Sequence, residues 1–292
     1  METVTLRRVP LPAAIQLGLV TALLGFAAVA WALTDDRMGG MDTGPGSDPG
    51  SLGFFLGVWV VMMAAMMFPS IAPMVLVYAK VQARSRQRGR ATPTGGTAIF
   101  VAGYLVSWTA AGILLYAVAQ GAGSLSNDVF AWDRAGPYLA GGIVVIAAAY
   151  QLTPLKDACL SKCRNPLSFI MSSWKPGRGG ALRMGMEHGA WCVGCCIALM
   201  AVLFALGVMS LVWMTFVAVL IATEKLLPWK ALANRGIAVL LVILGLAVAL
   251  APERVPGLTD PGSAEAMHSM EMSSEGEMEI QPAGEMNGMP SR

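Results

Sequence analysis

The stretch Met184–Thr223, MGMEHGAWCVGCCIALMAVLFALGVMSLVWMTFVAVLIAT, decides the fold of this chain. It is one apolar run, broken only by Gly207 and Ser210 near its middle. A single helix of that length would rise about 60 Å at 1.5 Å per residue, roughly twice the hydrocarbon thickness of a bilayer. Two spans joined by a tight turn fit the length better, one at 184–206 and one at 208–223. Composition agrees: 55% of the 292 residues are hydrophobic and 13% charged, too little polar cover for a globule in water.

Working outward, further blocks of spanning length lie near 11–33, 53–79, 98–120, 136–153 and 236–251. The expectation is therefore an all-α, polytopic transmembrane bundle of about seven spans, occupying residues 1–251. Sixteen of the twenty Lys and Arg residues fall in alternate loops: Arg7 and Arg8; Lys80, Arg84, Arg86, Arg88 and Arg90; Lys156, Lys162, Arg164, Lys175, Arg178 and Arg183; Lys225, Lys230 and Arg235. Basic loops stay in the cytoplasm, so the N-terminus is expected inside and the C-terminus outside. The first span, with Ala28-Val29-Ala30 near its end, imitates a cleaved signal sequence, although at 23 residues it is long for one.

Residues 34–51, rich in Gly, Pro and Asp, read as an irregular outer loop carrying Met38 and Met41. Residues 252–292 hold almost no aliphatic side chains and cannot bury enough surface to order themselves, so a disordered, Met/Glu-rich extracytoplasmic tail is expected. It carries Met267, His268, Met270, Met272, Met278, Met286 and Met289. These soft, neutral donors suit Cu(I) and survive outside the cytoplasm without forming disulfides; a solubilising tail with incidental methionines is the alternative.

All five cysteines crowd into one short region. Met184, His188, Cys192, Cys196 and Met200 repeat every four residues, which lines them along one slowly drifting helix face, with Cys195 beside it. A lone buried Cys is usually a small hydrophobe, but three thiols and an imidazole within nine residues suit a soft metal ion. Cys159 and Cys163 sit one helical turn apart at the expected cytoplasmic mouth, where Lys156, Lys162 and Arg164 favour thiolate. They read as an inner docking pair, or as a redox pair, although three intervening residues depart from Cys-x-x-Cys.

The second block carries Met62, Met63, Met66 and Met67, whose i, i+4 pairs make two adjoining stripes. Methionine is a common core filler, and packing explains such a stripe unaided. Pro69 and Pro73, just beyond, predict an interrupted helix of the kind that builds midplane ion sites. Glu187 and Glu224 are ionisable residues close to the expected interfaces, where snorkelling keeps them cheap; Glu187 could join proton-coupled release, and Glu224 reads as a helix anchor.

Three motifs carry a family resemblance over roughly 53–251: Trp59 followed by Met-Met-Ala-Ala-Met-Met-x-Pro-Ser-x-x-Pro, Thr153-Pro-Leu-Lys with Cys159 and Cys163-Arg-x-Pro, and Gly185 to Met200 around Cys-x-Gly-Cys-Cys. The chain resembles a bacterial family of uncharacterised, predicted metal-binding integral membrane proteins. That resemblance implies a multi-pass protein of the bacterial inner membrane and a metal-related role.

The functional expectation is a protein that binds a soft metal, Cu(I) first, and helps to move or deliver it across the membrane. Cys159 and Cys163 would dock it, His188, Cys192, Cys195 and Cys196 would hold it, and the four methionines would form a weaker ladder. A copper chaperone or an extracytoplasmic copper protein would be the partner besides lipid, with no role for nucleic acid. Zinc suits the Cys/His set but does not account for the methionines. Neither a Walker motif nor Asp-Lys-Thr-Gly occurs in these residues, which argues against ATP-driven pumping, and no enzymatic activity is read. The competing classes are a membrane thiol–disulfide oxidoreductase and a non-transporting assembly partner of a membrane copper enzyme.

Overall fold

A computed structural model describes residues 13–38, 51–89, 92–125, 135–207, 210–227 and 229–255. These residues are helical throughout, with no strand among them: α1 Ala13–Met38, α2 Leu52–Gln87, α3 Gly96–Leu125, α4 Gly136–Gln151, α5 Pro154–Arg164, α6 Pro166–Ser173, α7 Gly177–Leu206, α8 Leu211–Leu226, α9 Lys230–Leu250 and a short 3-10 turn at Pro252–Arg254. Met41 and the methionines and His268 of the expected tail lie outside the described residues.

Five helices, α1, α2, α3, α7 and α9, are long and apolar enough to cross a bilayer. A sixth span arises if α4 and α5, which meet at a 68° bend, count as one. The seven expected blocks each overlap a helix, but α4 and α8, at 16 residues each, rise only about 24 Å, less than the hydrocarbon thickness. Large apolar side chains point outward on the peripheral helices, among them Leu17 and Phe26 of α1 and Ile243 and Leu250 of α9. Such a periphery suits lipid and would be costly in water.

The break in the long apolar run falls where the sequence puts it. Gly207 takes φ 116°, a conformation that side chains strain to adopt, and ends α7 after Leu206. The break expected in α2 is absent: the helix runs continuously through Pro69 and Pro73. Each proline deletes only one backbone bond, at the carbonyls of Ala65 and Pro69, and the remaining bonds on either side carry the helix through.

Helix directions follow from ring contacts. Trp59, early in α2, packs against Phe204, late in α7, at 5.9 Å between centroids, whereas Tyr78, late in α2, packs against Trp174 just ahead of α7 at 5.9 Å. Helices α2 and α7 are therefore antiparallel. Tyr78 also stacks on Phe100 at 4.7 Å, and the Trp59 indole N–H donates to the Trp108 carbonyl at 2.7 Å, which makes α3 antiparallel to α2. The basic end of α2, the start of α3 and the start of α7 thus share one end of the bundle.

The α3–α7 contact is backbone to backbone. A Cβ at Gly185 would overlap the Phe100 carbonyl, and one at Gly189 would sit 2.7 Å from Ser107 Cβ. Small residues one turn apart permit this approach, and the Ser107 hydroxyl closes it by donating to the Met186 carbonyl at 2.8 Å. This seam fixes the face of α7 that carries the thiols.

Candidate metal centre

Spacing along α7 sets the first part of the site. Cys192, Cys195 and Cys196, at i, i+3 and i+4, project on one helical face, and all three are fully buried. The second part comes from α5, which begins at Thr153, whose hydroxyl accepts the Lys156 N–H at 3.3 Å, and continues from Pro154 at the first helical turn. The bend between α4 and α5 folds this helix back over the bundle, so that Lys156, Cys159 and Leu160 are buried and Cys163 is half-buried.

The two parts meet at sulfur. Cys163 Sγ lies 3.7 Å from Cys195 Sγ, and Cys195 Sγ lies 3.5 Å from Cys196 Sγ. The sulfurs of Cys163, Cys192 and Cys195 all fall within 4.8 Å of one another. A metal–thiolate bond of about 2.3 Å spaces the sulfurs around one ion by about 3.8–4.0 Å. The donor set therefore fits a soft ion with little movement, and thiolate sulfur selects copper(I) and other soft ions over hard ones. All five cysteines are free thiols.

Cys159 approaches α7 beside the cluster. A Cβ at Gly194 would lie 2.8 Å from Cys159 Sγ, so the glycine makes the space for that sulfur. The Tyr150 hydroxyl donates to the Gly194 carbonyl at 2.7 Å and pins the same spot. Cys163 is thus packed against the α7 thiols, and Cys159 against α7 at Gly194. The separate inner docking pair expected from sequence does not stand apart from the central ligands, because the bend after α4 carries α5 into the bundle.

His188 is buried but occupies different surroundings. Its ring lies among Phe100, Tyr104 and Phe169, at centroid distances of 6.1, 6.0 and 5.3 Å, and its Nδ1 has no hydrogen-bond partner. It does not belong to the group of mutually close ligand atoms among the described residues. Met62, Met63, Met66 and Met67 are all buried. They lie between Trp59, which packs on Phe204, and Ser70, whose hydroxyl shares the Lys225 ammonium with Cys192. Because α2 and α7 run antiparallel, the end of the methionine stripe is level with Cys195 and Cys196.

Charged and polar groups not expected from sequence surround the thiols. Lys225 Nζ lies 3.0 Å from Cys192 Sγ and 3.3 Å from Ser70 Oγ, and the Tyr104 hydroxyl lies 3.1 Å from the same sulfur. Cys192 sulfur thus faces an ammonium and a phenol, an arrangement that suits negative charge on it. Glu224, expected at an interface, is fully buried and accepts from the equally buried Lys156 at 2.7 Å. The reason is again α5, which brings Lys156 to it. Arg164 donates to the carbonyls of Glu224 and Leu227, capping the C-terminal end of α8 and holding α5 against it. Glu187 bridges Lys175 at 2.9 Å and Arg183 at 3.1 Å at the near end of α7.

One sequence signal for Lys225 existed. Glu224-Lys225 is followed by Leu226, Leu227, Pro228 and Trp229, so apolar surroundings do not end at the charges. No such signal marked Tyr104 or Ser70, whose roles depend on helices distant in sequence.

No curated protein and no solved structure matches this chain. A family model described as PpoB2, copper chaperone, matches residues 56–248, a range that holds all five cysteines, the methionine stripe and Lys225. That match covers more than half of the chain, and the protein belongs to this copper chaperone family.

Proposed function

We propose that the protein binds Cu(I) within a membrane-spanning helix bundle and hands it to an extracytoplasmic copper protein. One observation carries this reading: Cys163 and the pair Cys192 and Cys195, far apart in sequence, bring three sulfurs within 4.8 Å of one another. Family membership makes copper the metal to consider first. In this reading Cys163, Cys192 and Cys195 hold the ion, Cys196 and Cys159 offer neighbouring sulfurs for exchange, and Met62, Met63, Met66 and Met67 supply thioethers that release it readily. His188, one turn from Cys192, is a reserve donor. Exchangeable soft ligands suit a protein whose cargo must enter and leave without a deep trap.

The proposal extends to topology. The bundle sits in the bacterial inner membrane with the N-terminus in the cytoplasm, the short helices α4 and α8 completing seven crossings together with the residues that flank them, and the Met/Glu-rich tail of residues 252–292 outside. The basic residues support that orientation, because the basic ends of α2 and α7 share one end of the bundle.

Anaerobic purification with metal analysis and a free-thiol count tests the reading, using Cys192→Ser and Met66→Leu for comparison. About one Cu(I) per chain that is lost in Cys192→Ser is the expected result. Metal-free protein with a reversible disulfide would replace it with the oxidoreductase reading, and zinc in the same site would replace the metal.

A further inference from the structure

At the basic end of the bundle, away from the thiols, lies a partly open cleft of about 350 Å³. Tyr78, Gln82 and Ser85, spaced by four and three residues on one face of α2, form one wall, and Trp174 and Lys175, just ahead of α7, form the other. Tyr78 and Ser85 are only 2% and 8% exposed, yet neither hydroxyl has a hydrogen-bond partner among the described residues. Gln82 differs, since its amide donates to the Pro93 carbonyl at 2.8 Å and accepts from the Thr97 hydroxyl at 3.2 Å. Hydroxyls left over in so closed a place point to an acceptor that arrives from outside. Cations stand beside them. Arg86 reaches the rim and spends one of its N–H donors on the Thr92 hydroxyl at 3.1 Å. Lys175 and Arg183 share the single carboxylate of Glu187, at 2.9 and 3.1 Å, so this wall keeps an excess of positive charge. Depth adds a second indication. The apolar stretch of α2 ends at Lys80, and Gln82 and Ser85 lie about 3–8 Å beyond it, which is the level of a headgroup layer about 5–8 Å thick.

We infer that this cleft binds the phosphate group of an anionic phospholipid and so ties the end of α2 to the junction of α6 and α7. The inference rests on the membrane placement proposed above and is independent of the metal. A phosphate diester brings acceptor oxygens and one negative charge, which answer the two hydroxyls and the neighbouring cations together. A zwitterionic lipid carries its own cation, which competes with Lys175 and Arg86 for the same phosphate. Apolar surface beside the cleft favours a lipid over a soluble phosphate compound. Helix α6, which leads into Trp174, leaves Leu167 and Met171 54% and 72% exposed, a track for acyl chains. Trp174 itself is a residue type that settles at the level of the headgroups.

Native mass spectrometry of the full-length protein in detergent tests this, with phosphatidylglycerol, phosphatidylcholine of the same acyl chains and inorganic phosphate as probes. The variants are Lys175→Gln, Lys175→Arg, the double change Tyr78→Phe with Ser85→Ala, and Arg235→Gln, which removes a positive charge from α9 outside the cleft. The expected result is one phosphatidylglycerol per chain, held about 10-fold more tightly than phosphatidylcholine. That affinity should fall about 5-fold in Lys175→Gln and in the double hydroxyl variant, and stay at the wild-type level in Lys175→Arg and Arg235→Gln. Equal retention of the two lipids overturns the inference. So does a loss in Arg235→Gln as large as that in Lys175→Gln, which would make the attraction a diffuse one. Undiminished binding in the double hydroxyl variant, folded by circular dichroism, overturns it as well, and that variant decides alone if Lys175→Gln unfolds. Displacement of the lipid by millimolar inorganic phosphate would give the cleft to a soluble phosphate compound and overturn the lipid assignment. Protein that stays soluble without detergent refutes the membrane placement itself; the other adverse outcomes refute this inference alone.

Discussion

The thiol cluster and the methionine stripe are both rich in sulfur and lie largely inside the bundle, yet they are built in opposite ways. The stripe is a property of one helix: four residues of α2 at i, i+1, i+4 and i+5, fixed by local geometry. The cluster is assembled from α5 and α7, closed by Lys225 of α8, and supported by Tyr104 of α3. A site assembled from several elements holds its donors at metal-bonding separations, whereas a stripe only lines a surface. The difference teaches where capture and transit would divide: strong ligation where elements converge, weak thioether contact along a single rod.

The largest test of this contrast goes through the scaffold of the cluster. Glu224→Gln leaves Lys156 buried without its counter-ion and should destabilise the fold by about 3–5 kcal/mol, measured by denaturant titration in detergent. The double variant Lys156→Met with Glu224→Gln should recover most of that loss, because both charges leave together. If Glu224→Gln is as stable as the wild type, α5 is not held in the way described.

Next in size is Cys192→Ser, which removes the sulfur that faces both Lys225 and Tyr104. Cu(I) affinity, measured by competition with a calibrated chelator, should fall about 100-fold, equivalent to about 2.8 kcal/mol. Cys163→Ser should cost about 10-fold by the same measurement, since α7 alone still offers its three thiols. A loss at Cys163 equal to that at Cys192 would show that the α5 sulfur is an equal ligand and would sharpen the contrast further. The smallest effect is expected from Met66→Leu, a volume-conserving change that should cost less than about 1.5 kcal/mol in stability and leave copper stoichiometry intact. It should slow copper transfer to an acceptor in stopped-flow measurements. A stoichiometric loss of copper in this variant would erase the division between capture and transit.

Legibility in the sequence followed the range of the interaction. The end of α7 was readable at Gly207 because a glycine inside an otherwise unbroken apolar run acts locally. The α7 thiols were readable as a set because helical period alone puts Cys192, Cys195 and Cys196 on one face. The prolines of α2 misled in the opposite direction. A local rule predicts a break, but each proline removes a single bond and the helix, packed against its neighbours, runs on through both. Glu224 and Lys225 were assigned to an interface by their position at the end of a hydropathic block, which takes no account of a helix folding back over them.

Sequence by itself determined that the chain is helical and apolar enough for a bilayer, and that sulfur donors are concentrated on three segments, now α2, α5 and α7. Those properties depend on composition and on the period of a single helix, which each segment carries alone. Tertiary structure decided that Cys163 joins Cys192 and Cys195, that His188 stands aside among aromatic rings, and that Lys225 turns inward while Glu224 pairs with Lys156. The physical reason is the 68° bend between α4 and α5 together with the glycine seam between α3 and α7, which set helices against one another at distances that no local pattern encodes.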